Sequence, residues 1–387
     1  MSRGRATRAL VAGGTHLLDV AHSSTRGSSR HDRDGATRVS DRGVGDTMRL
    51  LEPSVTDWLL DSDPALRWQV ERDILNAAPD VWRATRSTVA TTGFGARLLA
   101  LQDADGQWAG GAYFPAHTDA DTASESGQPW IATTWSLKFL REWGVDATVL
   151  TDTAERLATN CRWEYNDLPY WGGEVDCCID GFTLANGAWL GADVSGITTW
   201  FVEHQMPEGG WNCDWVEGST RSSFHSTLNA LAGILTFRRN GHDATGLDDA
   251  QRRAEEYLLA RQLLYRASDG ALAGPWVTEL AFPPFWVYNV LSALDYFRER
   301  SQLSGFAPDP RLARAIEAVR AQRQPDGTWY QAGRPEGRLW FETDVEAGRP
   351  SKWLTLQALR VLTWWDEASA PSEPAAHTGR SPGDPTT

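Results

Sequence analysis

Apolar residues recur along most of this chain at helical rather than strand spacing. Asp63-Pro64 reads as an N-cap followed by Pro at the first helical position, and Leu66, Val70, Ile74 and Ala77 then fall on one face. Segments apolar around most of their circumference recur at 130–143, 181–190, 222–237, 285–297 and 352–365. Such helices are buried on all sides. Amphipathic segments at 149–159, 248–264 and 310–322 sit between them. The alternation predicts an all-α protein in which half-exposed helices surround fully buried ones: an α/α toroid of about five or six helical hairpins. The alternative, an open solenoid of stacked helix pairs, fits less well. The repeats are irregular in length, and the inner segments carry Trp where an open stack would meet solvent.

Three stretches reinforce the repeat. LLALQDADGQWAGG (98–111), FVEHQMPEGGWNCD (201–214) and VRAQRQPDGTWYQAG (319–333) each end a helix, pass through Gln and a short turn, and arrive at Gly-x-Trp or Gly-Trp. The Gln amide is suited to bonding free backbone groups at a helix end, and Gly permits the tight turn. The Trp ring packs over the next helix and buries on the order of 200 Å².

Composition narrows the function. The 387 residues carry a net charge of −14, which argues against a general nucleic-acid binder or an anionic membrane as main partner. No apolar run approaches the roughly 18 residues of a membrane span. The early apolar stretch near Ala9–Gly13 is too short for a secretory signal, so a cytoplasmic location is expected. Residues 1–47, rich in Arg, Ser, Gly and Asp, are expected to be disordered, with Met48 as the natural start. An Arg-rich targeting arm is the alternative for that segment. The helical domain is expected over 48–367 and a Pro/Ser/Gly/Thr tail over 368–387.

Four cysteines, Cys161, Cys177, Cys178 and Cys213, fall within about 50 residues of one another. Vicinal Cys177 and Cys178 make a poor disulfide framework, so free thiols or a metal site are expected. His117, His204 and His242 lie in polar contexts and are expected at the surface.

The Gln-x-x-Asp-Gly-x-Trp pattern, as in Gln102–Trp108 and, shortened, Gln324–Trp329, resembles the repeats of squalene–hopene cyclases and of protein prenyltransferase β subunits. The resemblance to this terpenoid cyclase/prenyltransferase superfamily spans roughly residues 50–366 and implies the toroid. The run Asp176-Cys177-Cys178, with His225 about 50 residues on, is similar to the prenyltransferase zinc site. The resemblance implies Asp176, Cys178 and His225 as Zn²⁺ ligands, with the fourth position left for substrate thiolate. Cys213 is positioned to close the tetrahedron, and Cys161 is a fifth candidate.

Two departures accompany the resemblance. The segment 167–174 holds no Lys or Arg for a diphosphate, leaving Arg221, Arg162 and Lys352 as the cations placed to meet one. The nearest string to a cyclase acid motif, Asp119-Ala120-Asp121-Thr122-Ala123, reads as a polar loop. Trp130, Trp135, Trp189, Trp286 and Trp353 are candidates to line an apolar pocket, or else simply core. The expectation is a zinc-binding toroid enzyme, transferase- or isomerase-like, acting on an isoprenoid or other apolar small molecule. The alternatives are a metal-independent class II terpene cyclase and a non-enzymatic toroid with structural zinc. No second protein subunit is indicated.

Overall fold

The computed structural model describes residues 53–116, 118 and 127–369. The expected disordered arm over 1–47 and the Asp119–Ala123 string lie outside these residues, as does most of the expected tail. The last helix runs through Ser369, so Ala368 and Ser369 are helical.

Helix is the dominant regular structure of the described residues. In chain order the helices are α1 (Pro53–Leu60), α2 (Pro64–Asp73), α3 (Pro79–Ser87), α4 (Gly93–Leu99), α5 (Thr133–Trp143), α6 (Thr153–Asn160) and α7 (Cys177–Leu190). They continue with α8 (Ser195–Glu203), α9 (Phe224–Arg239), α10 (Asp248–Leu259), α11 (Val290–Ser304), α12 (Ala313–Arg320) and α13 (Lys352–Ser369). Among the described residues there is one strand pair, Trp329–Tyr330 against Pro350–Ser351, antiparallel and two residues long. Local chemistry fixes many boundaries. The Asp63 carboxylate accepts the Ala65 N–H at 2.9 Å ahead of Pro64, and Asn289 caps α11 through the Ser292 N–H at 2.9 Å. Gly144, Gly191 and Gly305 end α5, α7 and α11 in the left-handed region.

Several helices start elsewhere than the apolar pattern suggests: α5 at Thr133 rather than Trp130, α6 at Thr153 rather than Val149, and α12 at Ala313 rather than Pro310. α7 begins at Cys177, a full turn before Gly181. α11 begins at Val290 rather than Phe285. Pro283 and Pro284 precede it and Phe285 has φ +52°, so the chain is irregular until Asn289 caps it.

The three repeats superpose in their bonding. Trp108, Trp211 and Trp329 are fully buried. Each indole N–H donates to the carbonyl ten residues back: Leu98 at 2.9 Å, Phe201 at 2.9 Å and Val319 at 2.8 Å. Each Trp backbone N–H donates to a threonine hydroxyl at the start of the next buried helix: Thr133 at 3.1 Å, Thr227 at 3.1 Å and Thr355 at 3.0 Å. One residue therefore caps the helix behind it through its side chain and is anchored to the helix ahead through its backbone. Gln102 and Gln205 close the first two turns onto the Gly106 and Gly209 carbonyls, at 3.0 and 2.5 Å. Gly106, Gly209 and Gly327 all have positive φ, and each turn rests on another helix. A methyl group at Gly106 would meet Arg156 of α6 at 2.7 Å, one at Gly209 the Arg253 carbonyl of α10 at 2.6 Å, and one at Gly327 Val55 of α1 at 3.1 Å. α1, first of the described helices, therefore takes beside the third repeat the place that α6 and α10 take beside the first two.

The buried helices connect in order. Trp68 of α2 donates to the Trp143 carbonyl of α5 at 2.8 Å, and Arg141 of α5 to Asn186 of α7 at 3.1 Å. Arg239 of α9 pairs with Glu299 of α11 at 2.6 Å. Arg360 of α13 donates to Asp295 of α11 at 2.9 Å and to Gln69 of α2 at 3.1 Å, which joins the last helix to the first of the set.

α7 and α9 make the closest crossing, at Gly181 and Gly233. A methyl group at Gly181 would meet the Asn229 carbonyl at 2.5 Å, and one at Gly233 would run into the Gly181 carbonyl. Gly233→Val is expected to lower stability by about 1–3 kcal/mol through overpacking. Gly196→Ala, at an exposed helical position with nothing within 4 Å, should be neutral or slightly stabilising. Denaturant midpoints check both, and equal tolerance at the two sites would show that the crossing is not tight.

Candidate metal centre

The α7–α9 crossing sets up the site. Cys177 and Cys178 occupy the first two positions of α7, and Cys213 opens a short 3-10 turn (Cys213–Glu217) just after Trp211. The Cys213 N–H donates to the Ser226 hydroxyl of α9 at 3.2 Å, which ties this turn to the helix packed on α7. The result brings three sulfurs together. Cys213 Sγ lies 3.5 Å from Cys177 Sγ and 3.3 Å from Cys178 Sγ, and all three lie within 4.8 Å of one another. Zn–S bonds of about 2.3 Å in a tetrahedron require S···S separations of roughly 3.8 Å, so little adjustment is needed. All four cysteines are free thiols.

The surroundings favour charge on one sulfur. Hydrogen bonds from Cys177 and Cys213 outweigh burial and hold the Cys178 thiol well below its ordinary range, helped by Asn229 and Ser226. Asn229 Nδ2 reaches Cys178 Sγ at 3.5 Å and also donates to the Trp286 carbonyl at 2.8 Å. The positive end of α7 acts in the same direction. Burial and then the bonds to the other two sulfurs push the Cys177 thiol well up. Cys213 is lowered by its bond to Cys177, but the bond to Cys178 and burial prevail and push it up. Acidic groups crowd the same helix end. Glu174 accepts the Val175 and Asp176 N–H groups at 2.7 and 3.0 Å, and Asp180 accepts the Glu174 N–H at 2.7 Å. Burial pushes the Asp180 carboxyl well above its usual range. Buried thiols ringed by carboxylates form an environment that a divalent cation relieves.

Of the five sequence candidates, Cys178 and Cys213 belong to this group, while Asp176, His225 and Cys161 do not. Asp176 is buried at the N-cap of α7. His225 turns toward aromatic rings, with centroids 4.4 Å from Trp276 and 5.6 Å from Trp286. Its Nδ1 accepts the Tyr288 N–H at 2.8 Å, and burial pushes its pKa down to about 4. Cys161 is fully buried at the end of α6, where burial pushes its thiol up. Cys177 is the residue that sequence reasoning set aside. Its signal was the vicinal pair itself, since side chains at the first two positions of a helix both reach the point beyond its end.

The aromatic candidates separate. Trp189 and Trp353 line a cavity of about 420 Å³ between α2, α5, α7, α9, α11 and α13, with Arg86 of α3 at its edge. Trp130 and Trp135 are buried to one side of it, with Trp130 stacked on Phe285 at 3.9 Å and Trp135 edge-on to the same ring at 5.6 Å. Trp286 faces His225. Arg221 and Arg162 are exposed. Lys352 lies over Trp58 and bonds the Asp61 carbonyl, away from this cavity. His204 and His242 are half-buried rather than at the surface, stacked on Trp200 and Phe237 at 4.3 and 4.6 Å.

No family model matches the chain, and no curated protein matches it significantly. No described helix is long and apolar enough to cross a membrane.

Proposed function

We propose that this chain is a zinc-dependent enzyme of α/α-toroid architecture acting on an apolar, isoprenoid-like small molecule. The ring reading is supported by the bonds that lead from each buried helix to the next and finally from Arg360 of α13 back to Gln69 of α2. The metal reading rests on one observation, the convergence of Cys177, Cys178 and Cys213 at the N-terminal end of α7. Three thiolates suit zinc better than a hard cation. Three protein ligands leave the fourth position of a tetrahedron to water or a substrate atom. A bound zinc would supply Lewis acidity and lower the pKa of whatever occupies that position. The chain's own residues supply the rest. Asn229 and Ser226 hold the Cys178 and Cys213 sulfurs in place. Asn229 also lines the cavity, so one side chain touches both the sulfur cluster and the space where a substrate would lie.

Protein purified under zinc-replete conditions is expected to carry one zinc per chain by elemental analysis. Cys213→Ala should weaken zinc binding by more than the roughly 10–100-fold that losing a ligand's hydrogen-bond partner costs. Cys161→Ser should leave zinc binding unchanged. Turnover of an isoprenoid substrate should vanish in Cys178→Ser, whereas an acid-initiated cyclase would keep it. Protein that stays metal-free, or a Cys213→Ala variant with unaltered zinc affinity, would sink the proposal.

A further inference from the structure

The cavity between the six buried helices has two unlike ends. Apolar surface comes from Phe182 of α7, Leu228 of α9 and Trp353 of α13, with Phe285 ahead of α11. The last turns of α2, α3, α5 and α9 contribute Arg72, Arg86, Arg141 and Arg239. Lys138 and Arg360 line the cavity from the middle of α5 and of α13. Only three carboxylates, Glu142, Asp295 and Glu299, line the cavity with them. The chain as a whole carries −14, so a cation-rich mouth runs against the charge of the rest of the molecule.

Several of these cations have structural partners. Arg360 is held by Asp295, and Arg72 by Asp73 at 2.5 Å. Lys138 pairs with Glu142 at 2.6 Å and Arg239 with Glu299 at 2.6 Å. Arg86 is different: it donates to the Gly144 carbonyl at 2.8 Å and lies 5.5 Å over the Trp68 ring, with no ion pair among the described residues. Burial, along with the like charges of Arg72 and Arg239, holds Arg86 below its ordinary range against the pull of Asp146. Basic residues at helix C-termini complement the macrodipole and need no ligand singly. Here α2, α3, α5 and α9 bring their terminal cations to one opening, where they repel one another.

We propose that this cavity binds an amphiphile with an anionic head, carboxylate or phosphate, the head held at the Arg86–Arg239 mouth and the apolar body directed toward Phe182, Leu228 and Phe285. The volume of about 420 Å³ lies within the roughly 300–1,000 Å³ of small-molecule sites. The inference deepens the proposed function by giving its substrate class a charged end. It also places that end at the helix C-termini, whereas the sulfurs sit at the N-terminal end of α7. Head-group binding requires no metal, so the two readings fail separately.

Binding of dodecyl phosphate, dodecanoate and dodecanol to the full chain, below their aggregation concentrations, tests this by calorimetry. At least one of the two anions is expected to bind about tenfold or more tighter than dodecanol, as a charge-assisted contact predicts. The better anion identifies the head. The double variant Arg86→Gln/Arg239→Gln should bring that anion to within about threefold of dodecanol, while Arg86→Lys retains most of the preference. Arg239→Gln alone, at a side chain 45% exposed, should reduce the preference measurably and guards against misfolding of the double variant. Cys213→Ala should leave the preference intact. Equal binding of all three probes, absence of binding, or an anion preference that survives loss of Arg239 and of both arginines would overturn the inference.

Discussion

Replacing Asp295 with Asn should destabilise the protein by about 3–5 kcal/mol. Asp295 sits on α11 and receives Arg298 of its own helix at 2.8 Å and Arg360 of α13 at 2.9 Å. The side chains of Arg298 and Arg360 are only 3% and 9% exposed. Removing the carboxylate charge leaves two buried guanidinium groups short of a counter-ion, which costs far more than the pair contributes. The same group predicts an acid limb. Burial raises the Asp295 pKa, but Arg360 and Arg298 outweigh it and hold the value at about 2. The unfolded value is about 3.9. Because the folded pKa is the lower one, the stabilisation is complete above about pH 4 and is lost as pH falls through 2. Denaturant unfolding at pH 7 and at pH 3 would show the parent losing stability on acidification and Asp295→Asn losing less. A variant within 1 kcal/mol of the parent at pH 7 would refute the account.

Trp211→Ala is expected to cost about 3–5 kcal/mol, since the ring is fully buried and truncation leaves a cavity. The more informative substitution is Trp211→Phe. It keeps most of the apolar volume but leaves the Phe201 carbonyl at the end of α8 without its indole donor. That should cost a further component of about 1–3 kcal/mol, the penalty for an orphaned buried acceptor. Trp108→Phe and Trp329→Phe, with the same bond at the same ten-residue spacing, should behave alike. If the three Phe variants unfold at the parent's denaturant midpoint, the rings act by bulk alone and the repeat is not a capping device.

Much of this architecture was legible in the chain. The Gly-Trp turns, the buried character of 181–190 and 352–365, and the polar faces of 248–264 and 310–322 follow from periodicity and composition, because burial imposes its own spacing. The early start of α7 was less so, since a helix entry is set by backbone geometry at Asp176 rather than by the apolar character of Cys177–Ile179. The metal centre was half visible. Cys178 and Cys213 converge because two glycines let α7 and α9 approach, a distance that no local pattern encodes. His225 looked like a ligand from its spacing to Asp176, yet its direction is set by Trp276 and the Tyr288 N–H, 51 and 63 residues further on. The cation cluster was invisible for the same reason: Arg86 of α3 and Arg239 of α9, far apart in the chain, line one cavity only in the folded protein.

The bond between Gln69 and Arg360 spans 291 residues. On the ribosome, at roughly 5–20 residues per second, α2 would wait on the order of 15–60 s for its last partner to be synthesised. Throughout that interval the faces of α1 and α2 destined for the third repeat and for α13 stay uncovered, Val55 and Gln69 among them. A nascent chain of this design depends on being shielded until its final helix emerges, and truncation before α13 should yield aggregation rather than a smaller stable domain.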